Sequence, residues 1–285
     1  MVAGEALRQT PGEDQLLRDE PAGERQETLS LSVKEIGALL ASMEIPDLEL
    51  LCRLTRDPRL TVRNMAFKAL GGKRNRVANE DIFRRDGVRL IAGTDEAGRG
   101  ALAGPLVAAA VMFEPGVEVV GVNDSKLLTP ERREELYGEI LARAMTVSAV
   151  FLDSALVDRW GVQVVNMSAL GQALLGLQPA CDAAICDHFA LAGLGFPVFG
   201  IPHADETFHS VAAASIVAKV ERDRVMRSMH GRFPAYHFAD NKGYGTAEHW
   251  QALDERGPCV MHRLSFRNVA GEVEEIPLWE PVDEP

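Results

Sequence analysis

Residues 88–113 constrain the fold of this 285-residue chain more than any other stretch. Val88, Leu90 and Ile91 predict a buried β-strand that runs into Thr94-Asp95-Glu96-Ala97-Gly98-Arg99-Gly100. Gly104-Pro105 marks a turn into a second apolar strand, Leu106 to Phe113. The pattern places two adjacent carboxylates at a strand end. A pair of acids is commonly just a solvated turn. Here an apolar strand enters the pair and the small residues Ala101 to Pro105 leave it, which is poor material for a merely solvated loop. Acids bind cations, and a Gly-Arg-Gly turn lets a backbone approach a polyanion closely.

Downstream, strands and helices alternate. Thr129-Pro130-Glu131 starts a helix to about Met145, and Val147 to Leu152 reads as a strand. Val162 to Leu177 has helical periodicity, and Ala183 to Cys186 and Val198 to Ile201 read as short buried strands. Helices from about Thr207 to Met229 and Thr246 to Glu255 close the domain. Upstream, residues 1–28 have few apolar anchors and predict a disordered leader. Ser32-Val33-Lys34-Glu35 has the form of a capping box, with Ile36, Leu39, Leu40 and Met43 at helical spacing behind it. Pro46 ends that helix, Leu48 to Leu54 suggests a second, and Asp57-Pro58 begins a third that Gly71-Gly72 stops. The chain thus divides into a leader (1–28), a helical module (29–88), an α/β domain (89–267) and an acidic tail (268–285).

Charge argues at first against a nucleic-acid partner: 42 acidic residues against 30 basic ones give a net charge of -12, whereas such binders are usually basic. The average conceals a local pattern. Acids crowd the first fifty residues and the stretch from Glu272 to Glu284. Arg53, Arg56, Arg59, Arg63, Lys68, Lys73, Arg74, Arg76, Arg84, Arg85 and Arg89 crowd the helical module, as a solvated face or a phosphate footprint. Cys52, Cys181, Cys186 and Cys259 have no zinc-like spacing and predict reduced, buried thiols. With no membrane-length apolar run and no secretory signal, the expectation is a cytoplasmic protein with no membrane partner.

Several further motifs follow in order. They are DEAGRGALAGPLVAAAV from Asp95, Asn123-Asp124-Ser125-Lys126, Cys186-Asp187, Pro202-His203-Ala204-Asp205, Ala213 to Asp223, Lys242-Gly243-Tyr244-Gly245-Thr246 and His262 to Phe266. Together they resemble the ribonuclease HII family, in a bacterial form with an N-terminal helical extension, over residues 89 to about 267. The resemblance implies a ribonuclease-H-like α/β fold, a mixed sheet flanked by helices, beside the small helical module. It implies a metal-dependent endoribonuclease, expected as a monomer, that cuts the RNA strand of RNA:DNA hybrids. Such an enzyme also incises duplex DNA on the 5′ side of single embedded ribonucleotides, leaving 3′-hydroxyl and 5′-phosphate ends.

The site residues implied are Asp95, Glu96, Asp187 and Asp205, holding Mg²⁺ or Mn²⁺, two ions when substrate is bound. Four acids in one cleft repel one another, so the set makes sense chiefly with hard divalent cations. By the same resemblance, backbone groups of Gly98, Arg99 and Gly100 read the 2′-hydroxyl, and Tyr244 packs on the sugar of the following nucleotide. Asn123, Ser125 and Lys126 grip phosphates, while Lys219 either supports the site or caps packing on its helix. The chain departs from the family pattern at Ala101, Leu127, His188 and His203, which bears on phosphate affinity and spares the four acids.

Alternatives from the residues themselves stay open. His188, His203 and His209 lie near the acids in sequence, as a metal-independent ribonuclease would require; a catalytically silent hybrid-binding protein is a third reading. In the tail, Glu275-Ile276-Pro277-Leu278-Trp279 faintly resembles peptides that dock on sliding clamps. Such peptides normally start with Gln, and Glu275 lacks the amide donors. Packing of Leu278 and Trp279 on the enzyme's own surface is therefore the favoured reading, and a weak clamp contact the other.

Overall fold

The computed structural model describes residues 31–42, 50, 51, 54, 60–69, 76–81, 83, 84, 88–122 and 125–269. The leader, most of the Leu48–Leu54 helix, the tail from 270 and Asn123 lie outside them, as do Cys52, Arg53, Arg56, Arg59, Lys73, Arg74, Arg85 and the side chains of Arg63 and Lys68. The chain falls into two compact units, residues 1–69 and 70–285.

In the first unit, helix α1 (Val33–Ser42) starts as its sequence predicts. The Ser32 amide donates to Glu35 Oε2 at 2.7 Å, and the Glu35 amide donates to Ser32 Oγ at 3.3 Å. These bonds satisfy amides that open a helix without partners. Helix α2 (Leu60–Ala69) packs Val62 and Ala66 into a small core with Ile36, Leu50 and Leu54.

The unit boundary falls nearly twenty residues before the expected position at 88, because helix α3 (Arg76–Asp81) is docked on the α/β domain. Arg76 donates through Nε to the Glu206 carbonyl and through Nη1 to the Val122 carbonyl, both at 2.9 Å. Asn79 Nδ2 donates to the Thr207 carbonyl at 2.8 Å, and the Ser210 amide donates to Glu80 Oε1 at 2.6 Å. Arg76 therefore serves the domain's own backbone, where its sequence neighbourhood suggested phosphates.

The α/β domain is built on a five-stranded sheet in the order β3-β2-β1-β4-β5. Its strands are β1 (Ile91–Ala97), β2 (Leu106–Met112), β3 (Thr146–Leu152), β4 (Ala183–Asp187) and β5 (Val198–Ile201). Pairing of β3, β2 and β1 is antiparallel, whereas β1, β4 and β5 run parallel. Every residue of β2 is buried, as expected of an uninterrupted apolar run covered on both faces. The covering helices are α4 (Pro130–Arg143), α6 (Val162–Leu175) and α8 (His209–Arg232). Ala109 and Val111 pack with Leu136 and Ile140 of α4 and with Ala212 to Val220 of α8. Ala108, Ala110 and Met112 face the other way, onto Ala169, Leu170, Ala173 and Leu174 of α6.

β1 carries the two acids at its end, as expected, and runs through Asp95 and Glu96 to Ala97, paired with Ala109, Ala108 and Val107 of β2. Alternation along the strand then sends the two carboxylates to opposite sides of the sheet. A seven-residue helix, α5 (Ser154–Trp160), fills the stretch between the strand and the helix expected on either side of it. Its signal was Asp153, whose side chain caps the helix by accepting from the Leu156 amide at 2.9 Å. Cys181, Cys186 and Cys259 are free and buried, as expected. Among the described residues no helix is long and apolar enough to cross a membrane.

Candidate active site

Three chain segments bring the acids together. β1 supplies Asp95 and Glu96, and its parallel neighbour β4, aligned Thr94 to Cys186, ends at Asp187. Ligands of α/β folds gather at such carboxyl ends. After β5 the chain turns through His203, at φ +59°, into the short helix α7 (Ala204–Thr207), which carries Asp205. Asp187 Oδ1 accepts the Ala204 amide at 2.8 Å and so ties the end of β4 to the start of α7.

The carboxylates lie near enough to raise one another's proton affinity. Asp95 and Asp205 are only 6% and 5% exposed. Burial first, then the charges of Glu96, Asp187 and Asp205, hold the Asp95 carboxyl well above the ordinary carboxylate range. Burial, with Asp187 behind it, pushes Glu96 up to about 7 against the pull of Asn166, Arg99 and Lys126. Asp187 is raised by burial, opposed by the Ala204 amide, His203, Lys126 and His188. Asn166, wholly buried on α6, lies close enough to favour ionised Glu96, yet neither of its amide atoms reaches hydrogen-bond geometry, and Glu96 Oε2 likewise has no partner.

Buried carboxylates that raise one another's proton affinity, with an orphaned oxygen among them, suit a cation. Among the described residues no three His, Cys, Asp or Glu side chains already converge on one point as ligands. Small hard cations such as Mg²⁺ take one or two carboxylates and complete their shell with water and substrate phosphate oxygens.

The Gly98–Gly100 turn stands beside the acids. Gly98 holds φ +89°, and a Cβ there would collide with Arg222 Nε, so glycine is required on two counts. The Ala101 amide closes the turn onto the Gly98 carbonyl at 3.2 Å, leaving Arg99 and Gly100 exposed at its tip. The Arg99 side chain lies over Phe189, 5.0 Å from the ring centroid, and donates to Gln163 Oε1 at 3.0 Å.

Two arginines absent from the sequence-derived site hold this turn from beneath. Arg222, fully buried on α8, donates to the carbonyls of Pro105, Ala103 and Lys242 at 3.0, 3.0 and 2.8 Å. Arg263, also fully buried, donates to the carbonyls of Arg99 and Gly104, both at 3.0 Å. The available signal for Arg222 was a charge on an apolar helical stripe, four residues after Ala218 and four before Met226.

Other expected substrate groups separate. Tyr244 is 38% exposed, with the Arg222 guanidinium 5.3 Å and Lys219 Nζ 5.8 Å from its ring centroid. Lys219 pairs with Asp223 at 2.6 Å. Lys126 is exposed and near enough to Glu96 and Asp187 to favour their ionised forms. Ser125 is different: its hydroxyl is buried and shares a 2.8 Å hydrogen bond with Ser215 on α8, which anchors the loop.

Among the histidines, His209 is a buried acceptor. Its Nε2 takes the Val119 amide at 3.1 Å, its ring lies 4.9 Å from that of Phe113, and burial pulls its pKa down to about 4. It is no acid or base for substrate. His188 and His203 flank the acids at φ +67° and +59°, a backbone region glycine adopts freely and side chains rarely do.

The sequence profile described as ribonuclease HII matches residues 92–269. The ribonuclease HII of Salinispora tropica is 49% identical over 195 residues, covering 68% of this chain and 72% of that protein. The one from Geotalea uraniireducens is 46% identical over 190 residues, covering 67% and 88%. Among solved structures, the ribonuclease H2 of Pyrococcus horikoshii superposes with a TM-score of 0.56 at 25% identity, over 63% of this chain and 95% of that one. A ribonuclease HII of Archaeoglobus fulgidus, solved in complex with PCNA, superposes with a TM-score of 0.53 at 28% identity, over 64% and 97%.

Proposed function

Because this chain belongs to the ribonuclease HII family, and so is a hydrolytic nuclease acting on RNA:DNA hybrids, we propose that it also incises duplex DNA on the 5′ side of single ribonucleotides. The cut leaves 3′-hydroxyl and 5′-phosphate ends and begins ribonucleotide removal. The supporting observation is the set of four acids, Asp95 and Asp205 buried and Glu96 and Asp187 half-buried, beside the Gly98–Gly100 turn. These carboxylates would hold Mg²⁺ or Mn²⁺, two ions with substrate bound; such cations supply Lewis-acid activation of water and stabilise charge on the leaving 3′ oxygen.

The chain's own groups do the rest. The 2′-hydroxyl distinguishes ribose from deoxyribose, and the backbone of Gly98, Arg99 and Gly100 reads it. Tyr244 packs on the next sugar, where a second hydroxyl would intrude. Lys126 and Asn123 meet phosphates, and the Ser125–Ser215 bond holds their loop to α8. The Archaeoglobus fulgidus relative was solved in complex with PCNA; residues 275–279, whose favoured reading stays packing on the enzyme's own surface, would be the segment of this chain for a weak sliding-clamp contact. As a nuclease acting on RNA:DNA hybrids, the enzyme would work in the cytoplasm.

The test offers three duplexes with Mg²⁺: DNA with one ribonucleotide, a continuous RNA:DNA hybrid, and DNA alone. The expected result is a single cut at the phosphodiester 5′ to the lone ribonucleotide and none in DNA alone. Cutting on its 3′ side, or cutting of the hybrid only, rejects the reading.

A further inference from the structure

The loop that carries Tyr244 has three consecutive carbonyls, held by five donors between them. Arg222 Nη1 holds that of Lys242 at 2.8 Å, and the amides of Leu102 and Ala103 hold that of Gly243 at 2.8 and 3.2 Å. The Tyr244 carbonyl accepts from the Thr246 amide and from His249 Nδ1, both at 2.9 Å. Fixing successive peptide planes fixes the direction in which the Tyr244 side chain leaves the backbone.

The last of these donors, His249, leads inward. His249 and His262 are 0% and 2% exposed, and their Nε2 atoms are 3.0 Å apart. A carbonyl only accepts, so His249 Nδ1 carries the hydrogen and its Nε2 is a lone pair. With His249 Nε2 a lone pair, the 3.0 Å Nε2–Nε2 contact needs the hydrogen on His262 Nε2, so of the two Cys259 groups near its Nδ1, the amide at 2.9 Å and the carbonyl at 3.2 Å, the amide is the one that bonds it. Both rings are neutral, since burial lowers both pKa values, that of His262 to about 4. The polarity of the chain is thereby fixed, from the Cys259 amide through His262 and His249 to the Tyr244 carbonyl. Its origin also matters. One residue beyond His262, Arg263 holds the Arg99 carbonyl, so residues 259–263 grip both the Gly-Arg-Gly turn and the tyrosine loop.

We infer that the buried His249–His262 pair is a positioning relay that sets the placement of the Tyr244 ring against the Gly98–Gly100 turn, and with it the preference for a ribonucleotide followed by deoxyribose over continuous RNA. The inference rests on the proposed role of Tyr244 at the following sugar. Neither histidine touches substrate.

The test is a double-mutant cycle read as the ratio of kcat/KM on the single-ribonucleotide duplex to that on the continuous hybrid. A merely structural histidine lowers both rates and leaves this ratio unchanged. His249→Leu is expected to lower the ratio about tenfold, the scale of one lost buried hydrogen bond. In the Tyr244→Ala background it should lower it no further. His249→Asn, whose amide nitrogen stands near the place of Nδ1, should recover part of the ratio. An unchanged ratio in His249→Leu, or an equal drop in the Tyr244→Ala background, overturns the relay. A ratio unchanged by Tyr244→Ala itself overturns the reading of Tyr244 and the relay with it, a pattern distinct from the other two. Should His249→Leu not fold, ¹⁵N NMR of the unaltered protein decides: opposite tautomers, Nδ1–H on His249 and Nε2–H on His262, are expected, and matching tautomers refute the relay.

Discussion

Asp95→Asn should lower kcat by about three orders of magnitude while the protein stays folded and, without divalent cations, melts at a higher temperature than the parent. The change keeps shape and removes one charge from a cation site, and about a thousandfold corresponds to roughly 4 kcal/mol of transition-state stabilisation. The stability gain follows from the sign of the pKa shifts. A carboxyl whose folded pKa lies above its unfolded value binds its proton more tightly when folded, so stability falls as pH rises between the two values. For Glu96 that window runs from its ordinary 4.5 to about 7, and Asp95 is displaced in the same direction, partly by its acidic neighbours. At neutral pH the parent without cations therefore carries a repulsion that the Asn variant lacks. Calorimetric melts across pH 5–8 in a chelator, paired with single-turnover rates at saturating Mg²⁺, check both halves. Parental turnover, or a melting temperature in the variant lower at every pH, would contradict the assignment.

Arg222→Met should cost about 3–5 kcal/mol, the scale for stripping a buried charge network of one partner, and lower the melting temperature by roughly 10 °C in a domain of this size. Methionine fills the stem's space but leaves the carbonyls of Ala103, Pro105 and Lys242 buried without their donor. Those carbonyls belong to the segments bearing the Gly98–Gly100 turn and Tyr244, so KM for the ribonucleotide duplex should rise in the fraction that remains folded. Arg222→Lys, able to reach only some of them, should fall between. A variant that melts with the parent would remove Arg222 from this role.

What could be read from sequence was local. The all-apolar β2, the Thr129-Pro130 start of α4 and the capping box of α1 each carry their signal within a few residues, and the structure places them within one or two positions of expectation. The four acids could be singled out because each stands in a short motif whose order along the chain matches that of the ribonuclease HII family. Asp and Glu are poor strand formers, and pairing with the alanines of β2 carries β1 through them. The docking of α3 depends on partners 46 to 130 residues away and leaves no local trace. Ser125 shows the same limit, since its partner Ser215 lies 90 residues on. Arg222 and Arg263 stood inside motifs already singled out, but composition alone does not tell a solvated arginine from one buried under a loop.

The central claim is that carboxylates charged with divalent cations, and not histidines, break the strand, and the chemistry of the cut ends tests it most directly. Mass spectrometry of products from a single-ribonucleotide duplex should show only 3′-hydroxyl and 5′-phosphate ends with Mg²⁺ or Mn²⁺, and no product in excess chelator. Chelator-resistant cutting that leaves a 2′,3′-cyclic phosphate would contradict it.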